Sequence, residues 1–215
     1  MTQHQFTILT WKLLIISVLL PAIAWGSSVQ WQLGSLSPYQ WFPLFGLLAW
    51  MIMWTHYSTG AIRIVTGFKK PRYYGGLTAW IVLGSLLLHP GILAFAQWQN
   101  SAGFPPVSFF DYVSQNLVLA VIFGSIALTI FLSFEIFDRI KDKPKIKKYW
   151  WIVSLSQSLA MILIFIHALQ LGTRIQTGWF LWVWLLYGFL LVPCFYLIHK
   201  SDFEQLKKDQ NNTVQ

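Results

Sequence analysis

The chain reads as long apolar runs separated by short polar stretches. Six runs stand out: Trp11–Trp25, Tyr39–Tyr57, Gly75–Trp98, Phe110–Ile136, Tyr149–Leu171 and Trp179–His199. Each is near the length of about 20 residues that a helix needs to cross about 30 Å of hydrocarbon. The runs are apolar all round and show no two-residue alternation, which favours membrane helices over a β-barrel. The pattern predicts an all-α, six-helix transmembrane bundle over residues 1–200. The polar tail, residues 201–215 ("SDFEQLKKDQNNTVQ"), is expected to be disordered. The first run, "KLLIISVLLPAIAWGSS", also has the build of a signal peptide, with one basic residue, an apolar core and small residues after it. Reading it as a retained helix gives an even number of spans and is preferred.

The basic residues between the runs give an orientation. Arg63, Lys69, Lys70 and Arg72 lie between the second and third runs, and Arg139, Lys141, Lys143, Lys145, Lys147 and Lys148 between the fourth and fifth. Lys12 near the start and Lys200, Lys207 and Lys208 near the end fall on the same side, whereas the opposite loops hold only Arg174. Cytoplasmic loops carry the excess of Lys and Arg, so both termini are expected to be cytoplasmic. The same loops would touch anionic lipid headgroups.

Composition narrows the class. Only 10% of residues are charged and 56% are hydrophobic, with thirteen Trp and seventeen Phe among the 215 residues, and the mean hydropathy is +0.55. About a quarter of residues are charged in a soluble domain. The chain is therefore expected to be an integral, multi-pass membrane protein in contact with lipid. The net charge of +8 flanks the apolar runs, which argues for orientation in a bilayer and against nucleic acid as a partner. No phosphate-binding glycine loop, Ser/His/Asp set, carboxylate pair or H-E-x-x-H motif is present in the sequence. The single cysteine, Cys194, excludes a disulfide within the chain.

The candidate chemistry rests on histidine. His4 lies in the N-terminal stretch, and His56 and His199 fall at the cytoplasmic ends of the second and sixth runs, where water or headgroups can reach them. His89, in "GSLLLHPGIL", and His167, in "LSQSLAMILIFIHALQLG", fall inside spans. Ionisable groups there are costly and usually face a bundle interior at a functional site. Counting back from the outer ends of the third and fifth helices places them roughly 12 Å and 8 Å deep. These are parallel helices, each with one histidine in its outer half. Two neutral imidazoles at one depth in an apolar setting suit the axial ligation of a heme iron. Zinc or copper would need further donors. Ser85 and Leu86, one turn before His89, and Leu163 and Ile164, one turn before His167, would face the same slot. Ser85 and Gly84 are small enough for a porphyrin to approach the backbone. Pro90 cannot bond back to the Leu86 carbonyl, so a bend is expected just beyond His89.

The six-helix plan, the basic loop after the second run, and single histidines on the third and fifth helices resemble the ferric reductase-like transmembrane domain family. That family includes ferric reductases, NADPH oxidases and the heme-binding membrane subunit of the bacterial periplasmic methionine sulfoxide reductase system. "RYYGGLTAWIVLGSLLLHPGIL" is similar to its third helix and "LSQSLAMILIFIHALQLG" to its fifth. The resemblance covers roughly residues 10–200. It implies an electron-transfer subunit of an oxidoreductase, seated in a bacterial inner membrane, with His89 and His167 as ligands of an outer heme b. Two-heme members carry a second histidine 13–14 residues earlier on each helix. Here those positions are Gly75 and Gly76, and Val153 and Ser154, so one heme is expected. His56 and His199 are a weaker candidate pair for a second. The family's flavin and nicotinamide domains are also missing from this sequence. The implied donor is then a cytosolic flavin reductase, a flavin beneath the basic loops, or a membrane quinol. The implied acceptor is an external reductase or a metal chelate. The alternative is a non-redox membrane protein, a small transporter or assembly factor, using Ser154, Ser156, Gln157 and Ser158 to line a path. Those residues also fit ordinary hydrogen bonding between helices, which is the preferred reading of them.

Overall fold

The computed structural model describes residues 1–141, 143–172, 175–176 and 178–213. Arg174, the one basic residue expected on the outer side, lies outside them. Among the described residues seven α-helices follow in order: α1 (Gln3–Ser28), α2 (Pro38–Thr66), α3 (Tyr74–Gln99), the short α4 (Val107–Asp111), α5 (Val118–Arg139), α6 (Pro144–Leu171) and α7 (Trp179–Thr213). Tight turns at Leu33–Ser35 and Gln115–Leu117 complete the elements, and no strand occurs among the described residues. Five helices, α1, α3, α5, α6 and α7, are long and apolar enough to cross a membrane, as an integral multi-pass protein in contact with lipid requires.

The helix ends have local causes. Thr2 and Gln5 cap α1 reciprocally, side chain to backbone in each direction, and Ser37 and Gln40 do the same for α2. Pro38 and Pro144 stand at first-turn positions where a missing N–H costs nothing. Gly67, at φ 70°, closes α2 in the left-handed conformation that glycine adopts without strain, and its N–H meets the Arg63 carbonyl at 2.8 Å.

Several boundaries differ from the sequence reading. The fourth run does not begin a single helix at Phe110. Phe109 and Phe110 belong to α4, which ends at Asp111, and the long helix starts only at Val118. The Gln97 amide donates to the Ser108 carbonyl at 2.8 Å and ties α4 to the end of α3. At the other end, α7 continues past His199 to Thr213, through the stretch expected to be disordered. Glu204, Gln205, Leu206, Lys207 and Lys208 are good helix formers, so the helix already under way can propagate. α3 runs without interruption through Pro90.

α2 is the centre of the bundle. It packs against α1, α3 and α7, while α5 packs on α6 and α7 on α6. Ala49, Trp50, Met51 and Ile52 are each 1% exposed or less. Four consecutive residues sweep round the whole helix, so α2 is enclosed on every face. This explains why it is the one long helix outside the apolar five. Surrounded by protein instead of lipid, it can carry Trp50, Trp54, Thr55, Tyr57 and Thr59, whose polar atoms find partners. The Trp50 indole donates to the Met161 carbonyl (3.2 Å), the Trp54 indole to the Tyr187 carbonyl (2.8 Å), and Thr55 Oγ1 pairs with Tyr74 Oη (2.6 Å). Thr59 Oγ1 donates back to the Thr55 carbonyl.

The basic loops gather at one end. The Gln3 side chain exchanges two hydrogen bonds with the Lys69 backbone (2.9 and 3.0 Å), Lys70 lies near Asp138 and Lys141, and Asp202 accepts from Ser154 in the first half of α6. The opposite end is held by the Trp25 indole donating to the Gln40 carbonyl (2.7 Å), Asn100 donating to Tyr39 (2.9 Å), and Tyr39 stacked on Tyr112 with centroids 5.6 Å apart.

Candidate functional site

His89 on α3 and His167 on α6 face each other between two helix hairpins, α2–α3 and α5–α6. Their ring centroids are 6.3 Å apart and the ring planes lie at 81°. The two depths estimated from the sequence therefore converge on one level.

Each ring is held in the same way. His89 Nδ1 lies 2.8 Å from the carbonyl oxygen of Phe42 on α2, and His167 Nδ1 lies 2.8 Å from the carbonyl oxygen of Ala120 on α5. A carbonyl only accepts, so Nδ1 carries the proton in both rings and Nε2 is left with a lone pair. Both rings also press on a glycine. A Cβ built at Gly46 would stand 2.8 Å from His89 Nδ1, and one at Gly124 would stand 2.6 Å from His167 Nδ1. The Phe42 ring flanks His89 at 5.3 Å, and Tyr112 meets Phe42 edge-on at 6.3 Å, closing the end away from the basic loops. Burial, with Tyr39 beside it, raises the Tyr112 phenol above its usual range, so it stays neutral.

These features can be tested against a heme iron. The two imidazoles, centroids 6.3 Å apart, are close enough that one metal ion could be held between them. The tautomer leaves Nε2 as the donor atom, and a ligating histidine usually gives its other N–H to a carbonyl or carboxylate. Among the described residues no group of three or more His, Cys, Asp and Glu is assembled, so the donor set is two imidazoles only. Two such ligands match an iron whose other four positions are filled by a porphyrin. Ser85 is buried, 6% exposed, one turn before His89, and a Cβ at Gly84 would meet no atom within 4 Å. His89 and His167 are the residues that would hold a heme iron.

No family model, curated protein or solved structure matches this chain. The reading of the site therefore stands on its geometry.

His56 and His199 each meet other side chains. His56 lies against the Tyr74 ring, centroids 5.2 Å apart. His199 Nε2 is 3.0 Å from Ser158 Oγ, and its Nδ1 is 4.0 Å from Asp202. Each has its own partners, which weakens them as a second pair of ligands. The serines of α6 bond mainly between helices: Ser154 donates to Asp202 on α7 (2.8 Å), Ser158 to Tyr57 on α2 (3.4 Å), while Ser156 donates to its own helix at Ile152 (2.8 Å). A cavity of about 410 Å³ opens between α5 and α6 toward the basic end, lined by Thr129, Ser133, Phe134, Tyr149 and Ser156 among others. The histidine pair does not line it.

Sequence reasoning missed the two glycines and the two carbonyls. A signal for them exists. "LFGLLAWMI" (44–52) and "IFGSIALTI" (122–130) share Phe, Gly, Ala and Ile at the same four of nine positions, and their offset of 78 residues is also the spacing of His89 and His167.

Proposed function

We propose that the chain is a membrane electron-transfer protein that holds one heme b between His89 and His167. The observation that carries this reading is the facing imidazole pair, with both Nδ1 atoms committed to backbone carbonyls and a centroid separation of 6.3 Å. When bound, the heme supplies a one-electron iron couple. The chain's own residues do the rest. Phe42 and Ala120 fix the tautomers, so both Nε2 atoms are available as ligands without a proton having to leave. Surrounding apolar side chains exclude water and, with two histidine ligands, set the potential. A heme held by both histidines would suit electron transfer and not the binding of oxygen.

In this reading α2 spans the membrane with the other five long helices, both termini are cytoplasmic, and the membrane is a bacterial inner membrane. The resemblance to the ferric reductase-like transmembrane domain family supports an electron path running outward. The donor is a cytosolic flavin reductase or a membrane quinol, and the acceptor an external reductase or metal chelate. Replacing His89 or His167 with alanine should abolish the reduced-heme absorbance bands of the purified protein. Unchanged heme content in both variants would sink the proposal.

A further inference from the structure

The two histidines share more than a level. In both cases the acceptor carbonyl lies 47 residues before the histidine, and the glycine under the ring lies 43 residues before it. The hydrogen bonds have the same length, 2.8 Å, and use the same ring nitrogen. Three residues after each glycine comes a buried alanine, Ala49 at 1% exposed and Ala127 at 0%. A lone membrane histidine bonding a neighbouring helix would need no explanation. The same atom, spacing and small residues twice over, on the two most closely packed helix pairs, do.

The local physics shows what the glycine contributes. In a helix each Cα–Cβ bond leans toward the N-terminus, so the side chain at position i+4 lies over the carbonyl of residue i. That carbonyl already accepts the N–H of residue i+4, and a second donor can approach only from the side. Gly46 stands four residues after Phe42, and Gly124 four residues after Ala120. Without a Cβ, each leaves the carbonyl of the preceding turn open to a ring from the facing helix. Any larger residue would put a methyl group inside contact distance of Nδ1 and Cε1.

We propose that α2–α3 and α5–α6 are two copies of one helix-hairpin unit, and that Gly46 with the Phe42 carbonyl, and Gly124 with the Ala120 carbonyl, are the paired positioning elements of its histidine. They act through His89 and His167, fixing ring rotation and leaving Nε2 bare. Because the two copies use the same device, neither histidine is the weaker ligand by construction. Where the copies differ, the first adds the Phe42 ring beside His89 and a proline after it, while the second has Ala120 and Ala168 at those positions.

The test uses the full-length protein in detergent or nanodiscs and has two arms. The first rests on the heme reading above. Hemin is titrated into heme-free Gly46→Ala and Gly124→Ala, with Gly60→Ala and Gly91→Ala as controls. A Cβ at Gly60 meets its nearest atom at 3.9 Å and one at Gly91 meets none within 4 Å. Losing the hydrogen bond that orients a metal-binding histidine lowers affinity by about 10–100-fold, and both test variants should show a loss of that order. Their ferric low-spin electron paramagnetic resonance signal should also change shape as the rings turn from perpendicular. The controls should match the wild type. Wild-type affinity and spectra in both test variants would overturn the proposal. The second arm needs no heme and no substitution near the rings. Nitrogen-15 spectra of the histidine-labelled, heme-free protein should show His89 and His167 as the tautomer protonated at Nδ1. Protonation at Nε2 in either residue would overturn the proposal even if heme binds. A wild-type protein that takes up no hemin would overturn the heme reading, leaving the tautomer to decide this one.

Discussion

Trp50 offers the sharpest test of α2 as the enclosed, central helix. It is 0% exposed, its indole lies against Trp184 at a tilt of 31° with centroids 4.1 Å apart and meets Phe165 at 5.8 Å, and its N–H reaches the Met161 carbonyl on α6. Trp50→Phe keeps an aromatic face and loses the donor. A hydrogen bond between membrane helices is worth about 0.6–1.7 kcal/mol, and part of an aromatic pairing worth about 0.5–1.5 kcal/mol goes with it. The expected cost is about 1–2 kcal/mol, close to a tenfold change in the unfolding equilibrium. Trp50→Ala also leaves a cavity. The soluble-protein figure of about 3–5 kcal/mol includes transfer from water. Between helices in lipid only packing and hydrogen bonding remain, which brings the expectation to about 2–3 kcal/mol. Reversible unfolding of the purified protein in mixed micelles, followed by near-ultraviolet circular dichroism, reads both. Trp182, on α7 and 72% exposed, is the reference, and its alanine variant should stay within about 0.5 kcal/mol of wild type. If Trp50→Ala costs no more than Trp182→Ala, α2 is not enclosed as described.

Further outcomes follow from the same structure. Thr55→Val and Tyr74→Phe remove the two ends of a buried 2.6 Å hydrogen bond, and a double-mutant cycle should return a coupling of about 0.5–1.5 kcal/mol; additive effects would break the pairing. With Cys194 changed to serine, a cysteine placed at Ala102 should react with a membrane-impermeant thiol reagent added to whole cells, and one placed at Lys70 only after lysis. The reverse result would invert the proposed orientation. Carbon monoxide should leave the spectrum of the reduced wild-type protein unchanged, because two histidines occupy the axial positions. A shifted Soret band would show one of them to be absent from the iron.

Much of the helical plan was legible because lipid makes a simple demand, continuous apolar runs whose backbone bonds are satisfied internally. Where lipid is not the neighbour, legibility drops. α2 falls outside the five most apolar helices because its environment is other helices, and its end at Thr66 lies nine residues past Tyr57, where the apolar run stops. There Thr66 satisfies its hydroxyl within the helix by donating to the Ile62 carbonyl. Phe109 and Phe110 look like the start of a span, yet they sit in α4, which Gln97 anchors to α3. The facing histidines could be proposed from type and depth alone. Their support could not be read that way, since backbone carbonyls have no sequence letter and a glycine is informative only beside its copy 78 residues away. His56 and His199 show the limit from the other side: the sequence could pair them only by position, and it did not foresee the contacts each makes, with Tyr74 and with Ser158.

The central claim is that one heme sits between His89 and His167, and a reduced-minus-oxidised absorbance spectrum with heme quantified per chain tests it most directly. The account predicts a low-spin b-type difference spectrum, one heme per chain in the wild type, and loss of the bands in His89→Ala and in His167→Ala. A colourless wild type, two hemes per chain, or bands that survive in both variants would contradict it.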